Sequence, residues 1–126
     1  MIYLLDTNAL LFSLADVKSL SDKARNIIET EENLCVSIAS LWEIAIKQSI
    51  GKLSLSMTIP EIQSECYSRN IEIIPIKPAE IEKIKALPKI HNDPFDRLII
   101  AQAKAMDATI VTRDSKIQEY PVQVAW

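Results

Sequence analysis

Short apolar runs alternate with longer amphipathic segments along the whole chain. The runs are rich in Val, Ile and Leu, a composition typical of strands buried inside a sheet. We predict five strands: Ile2–Leu5, Leu34–Ile38, Ile71–Pro75, Ala108–Thr112 and Val122–Ala125. The segments between them carry apolar residues at helical spacing. Strands that alternate with helices predict an α/β fold, in which helices cover both faces of a parallel sheet.

Helix start and stop signals divide the intervening segments. Ser21 is expected to cap the second helix, Gly51 to end the third, and Pro60 to stand early in the fourth. The apolar positions of the third helix share one face, so we expect Trp42 to lie in the core. The predicted helices are Thr7–Leu14, Ser21–Glu31, Ser40–Ile50, Ile59–Arg69, Pro78–Ala86, a long one that begins at Asp93, and a short turn or helix at Lys116–Tyr120.

Composition narrows the class of protein. A chain of 126 residues fits one domain, which we place at residues 1–126. Its single glycine, Gly51, excludes a glycine-rich phosphate loop. Cys35 and Cys66 form no C-x-x-C pair, and Cys35 is expected to be a small buried hydrophobe. We expect a cytoplasmic protein, because no basic segment precedes the first apolar run and no run is long enough to span a membrane.

Four acidic residues stand where the pattern predicts that strands give way to helices: Asp6, Glu43, Asp96 and Asp114. In an open α/β sheet the carboxyl ends of the strands meet at one edge, where ligands bind. Carboxylates gathered there repel one another, by roughly 4 kcal/mol for a pair ~4 Å apart at an effective dielectric constant of ~20. Hard divalent cations such as Mg²⁺ or Mn²⁺ neutralise such clusters. The pattern therefore predicts a metal-dependent site for phosphoryl chemistry.

Each acid also has a purely structural interpretation. Asp6 and Asp114 could cap the helix or turn that follows them, and Ser40 with Glu43 matches a capping box. Asp93 suits an N-cap before Pro94, which would place Asp96 in the first helical turn, where the helix dipole favours acids. A common edge for all four acids is required by a metal site but not by independent caps.

The motifs that carry the four acids resemble those of PIN-domain ribonucleases, most closely the toxins of VapBC-type toxin–antitoxin pairs. The matching segments are LLDTNALL, WEIAIK, HNDPFDRLIIAQA and IVTRD, in this order along nearly the whole chain. The resemblance implies a three-layer α/β/α fold with strand order 3-2-1-4-5. Asp6 and Asp114 would then lie side by side at the point where the strand order reverses.

The resemblance also implies the chemistry of the site. Asp6, Glu43, Asp96 and Asp114 match the acidic quartet of the family, which binds Mg²⁺ or Mn²⁺, and Asn8 and Thr112 match positions that support the acids. The family hydrolyses RNA and leaves 5′-phosphate and 3′-hydroxyl ends. In a two-metal pattern one cation activates a water molecule and the other stabilises the leaving oxygen.

Basic residues near the acids are candidate substrate ligands. Arg97 and Arg113 could each hold an RNA phosphate, or they could be solvated surface charges. Lys47 could do the same or form an ion pair with Glu43, four residues earlier. Trp42 could stack on a base rather than lie in the core. The single histidine, His91, could be a general acid, although its position in a loop favours no specific role.

Partners follow from the same resemblance, which implies a homodimer and a small antitoxin whose tail enters the acidic cleft. Two other classes of function remain open. A receiver-like or haloacid-dehalogenase-like phosphotransfer domain also places an Asp after strand one, but neither explains Glu43, and the second would need D-x-D-x-T where this chain has D-T-N-A-L. A non-catalytic module with the same fold would have no need of all four acids.

Overall fold

The computed structural model describes residues 1–126 and contains one parallel sheet of five strands. The strands are β1 (Tyr3–Leu5), β2 (Leu34–Ser37), β3 (Ile71–Ile74), β4 (Thr109–Val111) and β5 (Gln123–Ala125). Their order is β3-β2-β1-β4-β5, and every neighbouring pair is parallel. The predicted α/β class and strand order are confirmed.

Six α-helices connect the strands. They are α1 (Thr7–Ala15), α2 (Asp22–Thr30), α3 (Ile38–Ser49), α4 (Ile59–Ser68), α5 (Pro78–Ile84) and α6 (Pro94–Met106), with 3₁₀ turns at Val17–Ser19 and Ile117–Glu119. Ser21 caps α2 as predicted, since its hydroxyl accepts a hydrogen bond from the N–H of Ala24. Gly51 follows α3 with φ +72°, the left-handed conformation that ends many helices. None of the helices combines the length and hydropathy needed to cross a bilayer.

The sheet separates two apolar cores, because successive residues of a strand point to opposite faces. In β1, Leu4 belongs to one core and Leu5 to the other, and both are fully buried. Helices α1 to α4 contribute to the core that contains Leu5. Helix α6, with the turn near Ile117, covers the opposite face. Burial on both faces explains why the inner strands β1, β2 and β4 are almost continuously buried and mostly apolar, whereas the edge strands β3 and β5 each expose a polar residue.

Strand register brings three polar residues to one edge of the sheet. Leu5 at the end of β1 aligns with Val36 in β2 and with Val111 in β4. The next residues along these strands, Asp6, Ser37 and Thr112, therefore emerge at the same carboxyl edge. Since β1 lies between β2 and β4, this edge is the point where the strand order reverses, the usual place for a ligand site in an open α/β sheet.

Helix α3 begins earlier than its sequence indicates. It starts at Ile38, directly after β2, and its N-cap is Ser37, whose hydroxyl accepts from the N–H of Ala39. Ser40 therefore lies inside the first turn, and the alternative interpretation of Ser40 and Glu43 as a capping box is wrong. The last residue of β2 is itself a good N-cap, so the chain passes from strand to helix without a loop.

The predicted burial of Trp42 is also wrong. The Trp42 residue is 62% exposed, and it belongs to an exposed apolar row on α3. This α3 row consists of Ile38, Trp42, Ile46 and Ile50. The helix instead packs against the sheet through its other face, which includes Leu41 and Ile44. The Trp42 ring meets Phe95 of α6 edge to face, with ring centroids 5.3 Å apart.

Candidate active site

An open polar cleft lies above the junction of β1 and β4. Its volume is about 390 Å³, and none of its lining residues is hydrophobic. The lining residues are Asp6, Asn8, His91, Arg113, Asp114, Ser115 and Lys116. Four of these belong to the segment that follows β4, and two belong to the start of α1 or the residue before it. The cleft is therefore built from the chain segments that leave neighbouring parallel strands.

Asp6 both caps α1 and faces the cleft. Its Oδ1 accepts a hydrogen bond from the N–H of Ala9 at 2.7 Å, and its Oδ2 accepts from the hydroxyl of Thr112 at 2.5 Å. The pKa of Asp6 is raised from 3.8 to about 6, mainly by burial and also by the charges of Asp114 and Glu43, although the two hydrogen bonds oppose this rise. Thr112, which was predicted to support the acids, therefore contacts Asp6 directly.

Glu43 reaches the site from the buried side of α3. Its Oε1 accepts a hydrogen bond from the hydroxyl of Thr7 at 2.6 Å, and its Oε2 pairs with the ammonium group of Lys47 at 2.9 Å. The hydrogen bond to Glu43 raises the pKa of Lys47, which keeps this lysine charged. Thr7 also lies 2.9 Å from the hydroxyl of Ser40. The sequence motifs did not identify Thr7 as a residue that supports Glu43. Its position directly after Asp6, at the start of α1, is the feature of the sequence that could have indicated this role.

Two acids open helix α6. Asp93 is its N-cap, as predicted, and its Oδ1 accepts from the N–H groups of Phe95 and Asp96 at 2.8 and 3.2 Å. Asp96 lies in the first turn and turns toward the other acids. Burial and the neighbouring charge of Asp93 raise the pKa of Asp96 to about 7, despite the opposing effect of His91, and Asp6 and Glu43 contribute to this rise. The Asp96 carboxyl therefore interacts electrostatically with the other acids.

Asp114 caps the turn after β4 and still presents one oxygen to the cleft. Its Oδ1 accepts from the N–H groups of Lys116 and Ile117 at 2.7 and 3.1 Å. Its Oδ2 lies 3.1 Å from Nε2 of His91. Burial alone would raise the pKa of Asp114, but the hydrogen bonds from His91 and from the two backbone groups outweigh it and hold the pKa below its ordinary value.

His91 completes the cluster. Its Nε2 also lies 2.9 Å from Oδ2 of Asp96. Ligand atoms of His91, Asp96 and Asp114 all lie within 4.8 Å of one another, a spacing at which a metal ion can be held. The sequence offered no means of foreseeing this contact, because His91 and Asp114 are separated by 23 positions and His91 stands in a loop.

The chemistry of the cluster fits a hard divalent cation. Its donors are almost all carboxylate oxygens, the ligand type preferred by Mg²⁺ and Mn²⁺. Burial, together with the charges of the other acids, raises the pKa values of Asp6 and Asp96, and a positive charge bound nearby would favour their ionised forms. Lys47 supplies such a charge to Glu43 through a direct ion pair, and it also interacts with the charges of Asp93 and Asp96. Asp6, Asp96 and Asp114 form no ion pair with a lysine or an arginine, and Asp96 and Asp114 lie with His91 in one group of closely spaced ligand atoms.

The basic residues predicted to bind substrate have different surroundings. Arg97 points away from the cleft, and its guanidinium donates to the carbonyl groups of loop 85–93, including those of Pro88 and Leu87. Both terminal nitrogens of the Arg97 guanidinium donate within the protein, and Arg97 does not line the cleft, so the structure gives the predicted phosphate contact no support. Arg113 lines the cleft with its guanidinium 4.6 Å from the ring centroid of Phe12. Lys47 forms the ion pair that the sequence offered as its alternative role.

Comparisons with known proteins agree with the fold. The sequence model of the PIN domain family matches residues 3–123. One similar structure is VapBC2 from Rickettsia felis with a bound DNA fragment from its promoter. The matching chain is 21% identical to this one, with a TM-score of 0.67, and the match covers 99% of this chain and 98% of that chain. DNA-bound VapBC from Salmonella typhimurium is 17% identical, with a TM-score of 0.69 and coverage of 99% and 97%.

A third solved structure is FitAcB from Neisseria gonorrhoeae, which is 18% identical, with a TM-score of 0.67 and coverage of 98% of this chain and 96% of that chain. No curated protein matches the sequence. At these identities the solved structures establish a shared fold, and the match to the family model extends over almost the whole chain.

Proposed function

The chain belongs to the PIN domain family, and from this membership and the geometry of its acidic site we propose that it is a divalent-metal-dependent endoribonuclease. The observation that carries the proposal is the convergence of acids from four separate segments at one edge of the sheet. These acids are Asp6, Glu43, Asp96 and Asp114. Burial and the charges of neighbouring acids raise the pKa values of Asp6 and Asp96 to about 6 and about 7, and strongly shifted acids of this kind are concentrated at functional sites.

In this proposal, Asp6, Asp96 and Asp114 hold the cation, Mg²⁺ or Mn²⁺, and Glu43 supports them from α3. A divalent ion polarises a phosphoryl oxygen and helps to activate a water molecule for attack on phosphorus. Hydrolysis breaks the bond between phosphorus and the 3′ oxygen, so the products carry 5′-phosphate and 3′-hydroxyl ends. Burial of Asp6 and Glu43 strengthens their interaction with a cation by excluding water from their carboxylates.

Residues around the acids have distinct parts in this mechanism. The hydroxyls of Thr112 and Thr7 orient the carboxylates of Asp6 and Glu43 by direct hydrogen bonds. Lys47 offsets the charge of Glu43. Arg113, held against Phe12 at the wall of the cleft, is positioned to meet an RNA phosphate, and the exposed amide of Asn8 lines the same cleft.

We further propose that this nuclease is a cytoplasmic toxin that pairs with a small antitoxin. The structures described above contain VapBC and FitAcB assemblies, and their fold extends over nearly the whole of this chain. A basic side chain from such a partner would suit the acidic cleft, because a guanidinium can bind two carboxylate oxygens at once. Isolation of the protein with a small companion from its native operon would support this assignment, and isolation without one would count against it.

We also assign the α3 row to a second copy of the chain. Ile38, Trp42, Ile46 and Ile50 are all exposed and apolar, whereas single exposed apolar residues are usually scattered. In a two-fold dimer the same patch of each subunit faces its counterpart, so an uncharged apolar row can pack against itself. In this proposal the protein is a homodimer, and dimer formation buries the α3 row of each subunit.

An RNA cleavage assay tests the enzymatic proposal. Purified protein should cleave single-stranded RNA in the presence of Mg²⁺ or Mn²⁺, and a chelator should abolish cleavage reversibly. Asp6→Asn should be inactive, since Asn keeps the helix cap but removes a charge from the cation site. Undiminished cleavage in the chelator or in Asp6→Asn would contradict the proposal. Stable phosphorylation of Asp6 by a small phosphodonor would favour a phosphotransfer domain instead.

A further inference from the structure

His91 joins two acids that belong to different elements. Its Nε2 lies 2.9 Å from Oδ2 of Asp96, in the first turn of α6, and 3.1 Å from Oδ2 of Asp114, after β4. The side chain of His91 is only 11% exposed. A largely buried ring that contacts two carboxylates from different segments fixes the distance between them, which neither segment does alone.

The hydrogen bonds of the ring assign the position of its proton. Nδ1 of His91 accepts from the backbone N–H of Asp93 at 3.2 Å. In a neutral imidazole one nitrogen accepts and the other donates, so the proton belongs on Nε2. The group that faces Asp96 and Asp114 is therefore an N–H donor, and the ring offers them a hydrogen bond rather than offering a lone pair to a cation.

The loop that carries His91 is held in place by hydrogen bonds with Tyr120, which in turn contacts Arg97. The hydroxyl oxygen of Tyr120 accepts from the N–H of His91 at 2.8 Å and from that of Ile90 at 3.2 Å, and it donates to the carbonyl of Pro88 at 2.7 Å. Arg97 donates to Tyr120 at 3.2 Å. Because Tyr120 is buried, these bonds fix the backbone of the loop and with it the position of the imidazole.

We propose that His91 is a positioning residue of the cation site, whose Nε2–H holds the carboxylates of Asp96 and Asp114 at a spacing that one divalent ion can bridge. Oδ1 of Asp114 is already occupied by two backbone N–H groups, so Oδ2 is the oxygen available to a cation. A carboxylate oxygen can accept at more than one position, so the hydrogen bond from His91 leaves room for a metal ligand bond. This inference rests on the proposed function, which supplies the cation.

Two substitutions separate the donor from the loop. In His91→Gln, the longer amide places an N–H group near the position of Nε2, so the contact with both acids can be kept. In His91→Asn, the amide reaches only as far as Nδ1, so it can still accept from Asp93 but cannot reach the acids. Asn92→Ala is the matched control, because Asn92 is the exposed neighbour in the same loop.

Mn²⁺ binding, measured by the electron paramagnetic resonance signal of the free ion, is the readout. We expect His91→Asn to weaken Mn²⁺ binding by about 10- to 100-fold, the loss typical of residues that orient metal ligands. His91→Gln should keep most of the affinity, and Asn92→Ala should bind as the wild type does. RNA cleavage by His91→Asn should recover as the Mn²⁺ concentration is raised, since the acids themselves are intact.

Three results would overturn the inference while leaving the proposed nuclease standing. They are unchanged or tighter Mn²⁺ binding in His91→Asn, equal weakening in His91→Asn and His91→Gln, and a nitrogen hyperfine coupling from His91 on the Mn²⁺ bound to the wild type. The last would make His91 a ligand. Absence of Mn²⁺ binding in the wild-type protein would instead overturn the proposed function itself, and this inference with it.

Discussion

Asp6 and Asp114 each divide their two carboxylate oxygens between a structural contact and the cleft. In both residues Oδ1 accepts from backbone N–H groups of the segment that follows, as a capping residue does. Oδ2 of each points instead to a polar side chain of the site, Thr112 or His91. The sequence alone presents capping and site formation as alternatives, but both occur in the same side chain. The capping hydrogen bonds fix the orientation of the oxygen that faces the cleft.

Thr112→Val tests the support given to Asp6. Thr112 is fully buried, and Val keeps its shape but removes the hydroxyl. We expect the variant to lose about 1–3 kcal/mol of unfolding free energy in urea at pH 8, because Asp6 loses its hydrogen-bond donor and the N–H of Asp114 loses its acceptor. The loss should be smaller at pH 5, where Asp6, with its pKa of about 6, is mostly protonated.

Thr112→Ser is the control for this prediction, because it keeps the hydroxyl and removes one methyl group. Its effect should depend little on pH. A Val variant as stable as the wild type at pH 8 would show that the hydrogen bond to Asp6 contributes nothing measurable.

Among the elements, the strands and most helices were predictable because their signals are local. Continuous apolar runs marked the strands, and Ser21, Gly51 and Asp93 marked helix ends where the structure has them. Helix α3 was harder because it is apolar on two faces. Periodicity cannot tell which face meets the sheet, so the pattern predicts a buried Trp42, whereas the structure buries Leu41 and leaves Trp42 exposed.

Loop 85–93 shows a different limit. The roles of His91 and Arg97 depend on contacts with Tyr120 and Asp114, which lie far along the chain. No spacing rule relates a loop residue to a side chain after another strand. The sequence could place Asp96 at the start of a helix, but the contacts that gather it with Asp114 exist only in the folded protein.

The exposed α3 row makes a prediction about assembly. Trp42→Arg should convert the protein to a monomer, because it places a charge in the centre of an apolar interface. Since Trp42 is 62% exposed, the monomer should remain folded. Tyr67→Arg is the control, because Tyr67 is 86% exposed on α4 and lies outside the row. Sedimentation equilibrium at tens of micromolar measures the effect, and a dimeric Trp42→Arg protein or a strictly monomeric wild type would refute the assignment.

For the molecule as a whole, the metal-free site should make stability depend on pH. The pKa values of Asp6 and Asp96 rise from 3.8 to about 6 and about 7, so the folded state binds protons more tightly than the unfolded state. The contribution of these two groups to the unfolding free energy should therefore be largest near pH 4 and should fall as the pH rises to about 7. The rise at Asp6 alone corresponds to roughly 3 kcal/mol.

Thermal melts of chelator-treated protein at pH 5.5 and pH 8 measure this dependence, and the Tm should be higher at pH 5.5. In Asp6→Asn the difference should shrink, because one of the two titrating groups is gone. A Tm that rises steadily between these pH values in the metal-free wild type would contradict the electrostatic account of the site.

Divalent ions should reverse the effect. A cation that binds the folded site, and not the unfolded chain, stabilises the protein by mass action. We expect millimolar Mn²⁺ or Mg²⁺ to raise the Tm at pH 8, and to raise it less at pH 5.5, where protons compete for the same carboxylates. Asp6→Asn should remove most of the rise. An unchanged melt of the wild type at saturating Mn²⁺ and pH 8 would exclude the site as described.

The most direct test of the acidic site compares Asp96→Asn with Asp93→Asn in an RNA cleavage assay with Mg²⁺, using folded protein free of host ribonucleases. If Asp96 only favours the helix dipole, Asn should cost at most about 1 kcal/mol of stability and leave cleavage near normal. We predict the opposite result. Metal-free stability should hold or rise, because a charge leaves a repelling cluster, and cleavage should fall more than about 100-fold, beyond the loss typical of a residue that only orients a ligand. Asp93→Asn should be nearly silent, since Asn caps a helix as well as Asp does. Full cleavage by a folded Asp96→Asn protein would contradict the account.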